Sequence, residues 1–257
     1  MGTFFQADRL VMQFGGLTAV NEFSMTLQPG ELVGLIGPNG AGKTTVFNMI
    51  TGAYTPTSGD VLWQEEKITR LPVQLITARG IARTFQNIRL FNDLTVLENV
   101  MVSMHHKIRS RFWEAMLGFS RYREERRRMY EESMDYLQEM GLAHLAEEKA
   151  SSLAYGQQRR LEIARALATR PRLLLLDEPA AGMNPLETME LAEMVRGLRQ
   201  KYGLTIFLIE HDMKFVMGLC ERIKVLDYGI TIAEGTPAEI QKNPDVIKAY
   251  LGEQKNA

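Results

Sequence analysis

The chain has 257 residues, 45% of them hydrophobic and 24% charged, and its 30 lysines and arginines nearly balance its 31 aspartates and glutamates. This length fits one large domain or a domain with a second lobe, and the balanced charge excludes an overall electrostatic attraction to nucleic acid or anionic lipid. The single cysteine, Cys220, cannot close an intrachain disulfide, which favours a reducing compartment such as the cytosol, and no stretch approaches the roughly 20 apolar residues that a bilayer span needs.

The first third of the sequence predicts short strands around one helix. Strands are predicted at residues 9–14, 24–28 and 31–37, and the last of these is almost continuously apolar, as expected for a strand buried on both faces. A helix is predicted from Lys43 to Ile50, and "TPTSGDVLW" at 55–63 has the pattern of a turn that enters another strand. The chain therefore begins with β structure and continues into an alternation of strand and helix.

The remaining sequence predicts a helical insertion followed by a return of strands. From about 87 to 168 the apolar residues recur at spacings of three and four among dense charge, which is typical of helices. Strands return with "RLLLLD" at 172–177 and "LTIFLIE" at 204–210, separated by a predicted helix, as parallel α/β architecture requires. A hairpin with strands "RIKVLD" at 222–227 and "ITIAEG" at 230–235, on either side of Tyr228-Gly229, and a helical tail at 237–251 are predicted to follow.

Residues 37–44, "GPNGAGKT", match the phosphate-binding motif G-x-x-x-x-G-K-[ST]. They stand after an apolar strand and at the start of a helix, which is the context that the motif needs. Its glycines let backbone amides curl around phosphates, and the helix N-terminus adds positive potential. The motif predicts that Lys43 reaches the β- and γ-phosphates of a nucleotide and that the Thr44 hydroxyl holds Mg²⁺.

"LLLLDEP" at 173–179 supplies two carboxylates at the end of a predicted buried strand. Asp177 lies at the same sheet edge as the phosphate-binding loop and is expected to bind Mg²⁺ through water. Glu178 is expected to point to the opposite side from Asp177 and to polarise an attacking water as a general base. Carboxylates commonly end strands where solvent begins, so the pair is a weak signal by itself. Combined with the phosphate-binding motif, it predicts a nucleotide-hydrolysing site.

Three further segments stand in a specific order around these motifs: "TFQN" at 84–87, "LAYGQQRRLEIARAL" at 153–167 and "IEHDM" at 209–213. They resemble the Q-loop, the signature and the switch-histidine segment of the nucleotide-binding subunits of ATP-binding-cassette (ABC) transporters, and the resemblance covers nearly the whole chain. It implies an α/β fold, a P-loop NTPase core with an N-terminal antiparallel β-subdomain and an inserted α-helical subdomain. Residues 1–257 would form a single ABC ATPase domain, with the RecA-like core and β-subdomain at 1–86 and 169–257 and the helical subdomain, including the signature, at 87–168.

The same resemblance implies roles for individual residues. Gln86 would reach the metal or the attacking water, His211 would bind the γ-phosphate, and the signature would face the γ-phosphate held by a second subunit, so that two chains enclose two ATP molecules. The implied catalytic residues are Lys43, Gln86, Glu178 and His211, and the implied ligands of Mg²⁺ are Thr44, Gln86 and Asp177. The implied nucleotide contacts are Phe14, Val20, Gly37, Pro38, Asn39, Gly40, Ala41, Gly42, Lys43, Thr44, Thr45, Gly156 and Gln157.

Several positions allow other interpretations or depart from the family pattern. Phe14 resembles the aromatic residue on which adenine stacks, with Val20 packing beside it, although both side chains would also suit a core. In the signature, Ala154 and Tyr155 replace the usual Ser and first Gly, so a hydroxyl contact to phosphate is missing. Asn184 stands where the D-loop of the family usually has Asp, which puts a charged contact across the subunits in doubt.

Within ABC transporters, three segments are most similar to the ATP-binding subunit of the branched-chain amino acid importer: "ARTFQNIRLFNDLTVLENV", "LAYGQQRRLEIARAL" and "DEPAAGMNP". This resemblance implies an ATPase at the cytoplasmic face of the membrane that works with transmembrane permease subunits and a second ATP-binding subunit, either a copy or a related chain, and no nucleic acid. A related second subunit is favoured. The ATPase of lipopolysaccharide export, with a similar helical lobe and C-terminal ending, is the alternative. A nucleotide-dependent switch without transport is an alternative of another class.

Residues 88–97, "IRLFNDLTVL", place Leu90, Phe91, Leu94 and Val96 in a mostly polar neighbourhood beside Gln86. An apolar patch next to a nucleotide sensor fits a socket for a short helix of a membrane-embedded partner. The other interpretation is that these side chains fill the core of the helical lobe. Their exposure in the folded chain distinguishes the two interpretations.

Overall fold

The computed structural model describes residues 3–104 and 120–253. The chain divides into two compact units, one formed by Met1–Gln86 with Arg172–Ala257 and the other by Asn87–Pro171. Within the two described ranges, no helix combines the length and the apolar character that a membrane span requires.

The secondary structure of the described residues alternates strands with helices except in the N-terminal sheet and the helical unit. The strands are β1 (Phe5–Phe14), β2 (Leu17–Leu27), β3 (Leu32–Ile36), β4 (Ser58–Trp63), β5 (Glu66–Lys67), β6 (Ile81–Arg83), β7 (Leu173–Asp177), β8 (Thr205–Ile209), β9 (Arg222–Asp227) and β10 (Ile230–Gly235). The helices are α1 (Lys43–Ile50), α2 (Val73–Ala78), α3 (Val96–Met104), α4 (Ser120–Glu139), α5 (Tyr155–Ala168), α6 (Pro185–Tyr202), α7 (Met213–Leu219), α8 (Pro237–Lys242) and α9 (Pro244–Glu253).

An antiparallel sheet in the order β2-β1-β4-β5 forms the N-terminal part of the first unit. Its first two strands begin earlier than the predicted strands at 9–14 and 24–28. Arg9 and Glu22 adopt positive φ angles of 43° and 51°, and the pairing register shifts beside each of them. These irregularities are β-bulges, which interrupt the alternation of apolar and polar residues. The sequence pattern therefore showed only the parts of the strands that follow the bulges.

The second sheet of this unit has the order β10-β9-β3-β8-β7-β6, and its neighbouring strands are parallel except for the β10-β9 hairpin. All residues of β3, β7 and β8 are buried, as predicted for strands covered on both faces. Parallel strands end at one common edge. The phosphate-binding loop, Asp177 and the segments that follow β6 and β8 therefore meet at this edge.

The two sheets of the first unit share one apolar core. Phe23 and Leu27 come from the antiparallel sheet, Val33 and Phe207 from the parallel sheet, and Phe47 from the helix that follows the phosphate-binding loop. The rings of Phe47 and Phe207 lie 4.9 Å apart, centroid to centroid. Because Phe47 of α1 is part of this core, the core holds α1, and with it the phosphate-binding loop, at the sheet edge.

Helical structure in the second unit begins later than the predicted residue 87, because residues 87–95 form a loop and the first helix starts at Val96. Asn99 is fully buried and its side-chain amide holds this loop. Its Nδ2 donates to the carbonyls of Phe91 and Thr95 at 3.0 and 2.9 Å, and its Oδ1 accepts from the Phe91 N–H at 2.9 Å. The loop is thus ordered by a side chain of α3 rather than by helical hydrogen bonds.

Candidate active site

The phosphate-binding loop connects β3 to α1, and its shape depends on glycine at two positions. Gly37 has a φ of 151°, and a Cβ at this position would lie 1.9 Å from the carbonyl oxygen of Leu226. Gly42 has a φ of 98°, and its added Cβ would lie 2.5 Å from the carbonyl oxygen of Ala19. The neighbouring backbone therefore leaves no room for any other residue at either position.

Lys43 lies within the curve of this loop. Its Nζ donates to the carbonyl oxygens of Gly37 at 2.7 Å and Pro38 at 2.9 Å, and the residue is buried. Asn39, Gly40 and Thr44 are exposed, Thr45 is half-buried and Ala41 is buried. The loop thus has backbone atoms and Thr44 at its surface, while the positively charged Lys43 ammonium lies inside it.

Asp177, the last residue of β7, is 1% exposed. Its Oδ2 pairs with an Arg83 guanidinium nitrogen at 2.6 Å, whereas its buried Oδ1 has no hydrogen-bond partner among the described residues. A buried carboxylate oxygen without a partner is costly unless a ligand satisfies it. No cluster of three or more His, Cys, Asp or Glu side chains that could hold a metal ion occurs in the described ranges. Mg²⁺ needs only one or two such groups beside substrate phosphates, so Asp177 and Thr44 fit this ion.

Glu178 lies between two other predicted catalytic side chains, those of Gln86 and His211. Gln86 donates from Nε2 to Oε2 of Glu178 at 2.8 Å, and Nδ1 of His211 lies 3.6 Å from the same oxygen. Glu178 itself has a φ of 46°, and its N–H donates to the carbonyl of Ile209 at the end of β8. Three segments that are distant in sequence therefore converge on one carboxylate.

A family model described as ABC transporter matches residues 20–181, which is more than half of the chain. The chain belongs to the ABC transporter family. A second model, described as branched-chain amino acid ATP-binding cassette transporter, matches residues 231–256. The family resemblance seen in the sequence motifs is confirmed.

Curated relatives match almost the full length of this ABC cassette. The high-affinity branched-chain amino acid transport ATP-binding protein LivG of Escherichia coli K12 is 50% identical over 244 residues, which cover 95% of this chain and 96% of LivG. The corresponding protein BraF of Pseudomonas aeruginosa is 48% identical over the same shares of both chains. The lipopolysaccharide export system ATP-binding protein LptB of Escherichia coli K12 is 35% identical over 96% of both chains.

Solved structures show the same fold. The crystal structure of an ATP-binding cassette of an ABC transporter in its ADP conformation has a TM-score of 0.84 and 29% identity, and covers 98% of this chain and 99% of that chain. A dimeric bacterial ABC transporter cassette has a TM-score of 0.78 and 26% identity, covering 91% and 98%. The predicted fold class, a P-loop core with an antiparallel β-subdomain and a helical insertion, is confirmed.

Glu210 is a site residue of this cassette to which the sequence argument gave no role. It is fully buried. Its Oε1 accepts from the Ala180 N–H at 2.7 Å and its Oε2 from the His211 N–H at 3.0 Å. Burial raises the pKa of Glu210, against the lowering effect of these N–H donors. The carboxylate thus connects the segment after Glu178 to the segment that carries His211. In the sequence, the charged residue at the end of the apolar run "LTIFLIE" was the signal that could have indicated this role.

Arg83 is the second residue that the sequence argument missed. Its side chain is 6% exposed and joins Asp177 to Asn48 of α1, to whose Oδ1 it donates at 2.6 Å. The guanidinium carbon lies 5.5 Å from the ring centre of Phe47 and 5.2 Å from that of Phe85. Since β6 has only three residues and was not predicted, nothing in the sequence pattern had marked Arg83 as buried.

The two residues predicted to contact adenine differ in exposure. Phe14 is 45% exposed and meets Tyr54 edge to face, with ring centroids 5.5 Å apart, so its ring has free surface for a base. Val20 is fully buried, and its Cγ2 would lie 3.1 Å from a Cβ added at Gly42. The placement of Val20 beside adenine disagrees with this burial, because the side chain supports the phosphate-binding loop and presents no surface.

The signature belongs to the helical unit and opens α5. Ala154 is the N-cap and provides no side-chain hydrogen bond, while Oε1 of Gln157 accepts from the Ala154 N–H at 3.0 Å. Gly156 and Gln157 are half-buried. Tyr155 is exposed, and its hydroxyl lies 3.3 Å from a guanidinium nitrogen of the buried Arg159. With Ala154 and Tyr155 at these positions, the N-cap residue has no side-chain acceptor for the first-turn N–H groups, and the surface of this turn carries an aromatic ring.

Asn184 of the D-loop has a local structural role. Its Oδ1 accepts from the N–H groups of Leu186 and Glu187, both at 3.0 Å, and Glu187 reaches back to the Asn184 N–H at 2.9 Å. This is a capping box at the start of α6. The side chain at the D-loop position is therefore engaged in helix capping.

Proposed function

We propose that this protein is the ATP-hydrolysing subunit of an ABC importer of branched-chain amino acids. The identities of 50% to LivG and 48% to BraF support the cargo class. The contact of Gln86 and His211 with one Glu178 carboxylate oxygen carries the proposal of hydrolysis.

In the proposed reaction, Glu178 accepts a proton from the attacking water while the water oxygen bonds to the γ-phosphorus of ATP and ADP leaves. Gln86 holds the Glu178 carboxylate and so fixes the position of the base. His211 stands beside that carboxylate and would bind the γ-phosphate. Lys43 would exchange its contacts with the loop carbonyls for contacts with the β- and γ-phosphates. Thr44, Gln86 and Asp177 would hold Mg²⁺, which would neutralise phosphate charge when bound.

We further propose that two ATP-binding subunits pack head to tail around two nucleotides, with Gly156 and Gln157 of one facing the γ-phosphate in the other. The dimeric cassette structure among the structural relatives supports this arrangement. The second subunit is a copy of this chain or a related chain. Both would bind transmembrane permease subunits at the cytoplasmic face of the membrane, as peripheral proteins.

The alternative transport function is lipopolysaccharide export. It has weaker support, because LptB is 35% identical whereas LivG is 50% identical over a similar length. The C-terminal ending was similar to both transporter ATPases in the sequence comparison. The match of residues 231–256 to the branched-chain amino acid model favours import.

Deletion of the gene, followed by uptake assays with labelled leucine, isoleucine and valine, tests the cargo. Import predicts loss of high-affinity uptake of all three, restored by the wild-type chain and not by Glu178→Gln. Unchanged uptake with lipopolysaccharide retained at the inner membrane would favour export instead. Identification of the membrane proteins that co-purify with the chain would establish its partners. A steady-state ATPase assay separates both transport functions from a nucleotide switch without turnover.

A further inference from the structure

We propose that Arg83 is a positioning residue for metal binding, because it holds one oxygen of Asp177 and leaves the other available to a water in the Mg²⁺ shell. This inference rests on the proposed ATPase function and adds a residue to which the motifs assign no role. Arg83 does not touch the nucleotide in this proposal; it acts through Asp177.

The two oxygens of Asp177 have different surroundings. Oδ2 accepts from Arg83 at 2.6 Å, while Oδ1 is buried and has no hydrogen-bond partner in the described chain. The carboxylate cannot rotate without breaking the charge-assisted bond to Arg83. Arg83 therefore determines which oxygen is left for a ligand.

The position of Arg83 is itself fixed from two other directions. Its other terminal nitrogen donates to Asn48 at 2.6 Å and lies 3.4 Å from the Thr51 hydroxyl. Asn48 belongs to α1, the helix that starts at Lys43 and carries Thr44. One guanidinium thus links the strand that ends in Asp177 to the helix that carries the second proposed metal ligand, and sets the spacing between them.

A buried carboxylate with a purely structural role would be expected to have both oxygens satisfied, since an unpartnered buried polar atom is costly. Glu210 meets this expectation, because both of its oxygens accept backbone N–H groups. Asp177 does not. The difference between these two buried carboxylates indicates a ligand at Oδ1.

The experiment measures ATP affinity by equilibrium titration in EDTA and across a Mg²⁺ series, in the Glu178→Gln background so that ATP is not consumed. Arg83→Lys keeps a positive charge beside Asp177 but cannot bond to both Asp177 and Asn48. The quantity to compare is the Mg²⁺ concentration at which half of the Mg²⁺-dependent increase in ATP affinity is reached. We expect Arg83→Lys to raise this concentration by about 10- to 100-fold, the usual effect of losing a residue that orients a metal ligand. ATP affinity in EDTA should stay within about twofold of the parent, because no phosphate contact is lost.

The matched control is Arg222→Lys, the same substitution in an arginine at the start of β9 that pairs with Glu31 and Glu234. It should leave the Mg²⁺ dependence at the parent value even if its unfolding midpoint falls. Arg83→Gln, which removes the charge, should shift the Mg²⁺ dependence at least as far as Arg83→Lys; if it does not fold, Arg83→Lys decides. An unchanged Mg²⁺ dependence in Arg83→Lys, or an equal shift in the control, would overturn the inference. Absence of any Mg²⁺ effect in the parent would count against the proposed function instead.

Discussion

The phosphate-binding loop and the Glu178 cluster lie at the same sheet edge but are held in place by different means. The loop is fixed by backbone packing, with glycines pressed against the carbonyls of Leu226 and Ala19 and with Lys43 buried inside. The cluster is held by side-chain contacts between three separate segments, and the His211 side chain is 57% exposed. The loop is therefore preformed for binding, whereas the cluster can rearrange. Changes in the loop should lower ATP affinity and turnover together, whereas changes in the cluster should lower turnover alone.

The largest effect is expected for Glu178→Gln, which removes the proposed base and keeps the shape of the side chain. Turnover should fall by about 10²- to 10⁴-fold, the usual contribution of general-base catalysis. ATP affinity should change little, since Glu178 holds no phosphate. Steady-state hydrolysis and equilibrium binding, compared with the exposed control Glu147→Gln, check both parts. Near-normal turnover would assign the base to another residue.

Lys43→Ala should affect the other side of the comparison and reduce affinity and turnover together. A charge-assisted hydrogen bond contributes about 1.5 to 3 kcal/mol, so loss of the ammonium should weaken ATP binding by about 10- to 150-fold. The variant also leaves the carbonyls of Gly37 and Pro38 without their donor. Equilibrium titration with Lys248→Ala as control measures the loss. An unchanged affinity would show that the loop does not bind the phosphates in the proposed way.

Asn184→Ala tests whether every polar residue close to Glu178 in sequence belongs to the cluster. Because Asn184 caps α6, alanine should lower the free energy of unfolding by about 1 kcal/mol, with turnover per folded molecule unchanged. Asn184→Asp is the matched variant, since aspartate caps equally well and restores the residue usual in the D-loop. Chemical denaturation measures both. A loss of turnover in Asn184→Ala at normal stability would place this residue in the catalytic cluster.

The smallest effect on the isolated subunit is expected for Phe91→Ala. Phe91 is 47% exposed and lies 4.9 Å from the guanidinium of Arg165, so alanine should cost about 0.5 to 1 kcal/mol. ATP binding and turnover in solution should not change, whereas recruitment to membranes that contain the permease subunits should weaken. Leu97→Ala, at a buried position of the same unit, should cost about 2 to 5 kcal/mol. A cost of that size for Phe91→Ala with normal recruitment would contradict the socket.

Burial divides the four apolar residues predicted to form that socket. Phe91 is exposed and Leu90 and Leu94 are half-buried, but Val96 is fully buried in the helical unit. Val96 therefore belongs to the core of the lobe, and the predicted patch is smaller than the sequence indicated.

Elements with a strong local signal were predicted closely. The helix from Lys43 to Ile50 and the hairpin strands on either side of Tyr228-Gly229 have the predicted bounds, because a glycine-rich loop and a two-residue turn mark where they begin and end. Short elements carry too few residues for a period to appear, so β6 and α2 were missed. The β-bulges at Arg9 and Glu22 hid the beginnings of β1 and β2.

For the site, the motifs identified the residues that act on the nucleotide but not the residues that hold them. Gln86 and His211 were assigned by family resemblance and Glu178 by its place directly after Asp177, and the structure places Gln86 and His211 beside the Glu178 carboxylate. Arg83 acts through Asp177, 94 residues away in sequence, and Glu210 accepts from the N–H of Ala180, 30 residues away. Such pairings depend on strand order, which one sequence without structure does not reveal.

The position of β6 at the edge of the parallel sheet has a consequence for local stability. This three-residue strand pairs only with β7, from Ile81 beside Leu173 to Arg83 beside Leu175, whereas β7 is hydrogen-bonded on both sides. An edge strand of this length opens at a lower free energy than the strands at the centre of the sheet. Gln86, three residues beyond β6, thus follows the strand of the parallel sheet that can detach and re-form most easily. The backbone amides of β6 should exchange with solvent before those of β7.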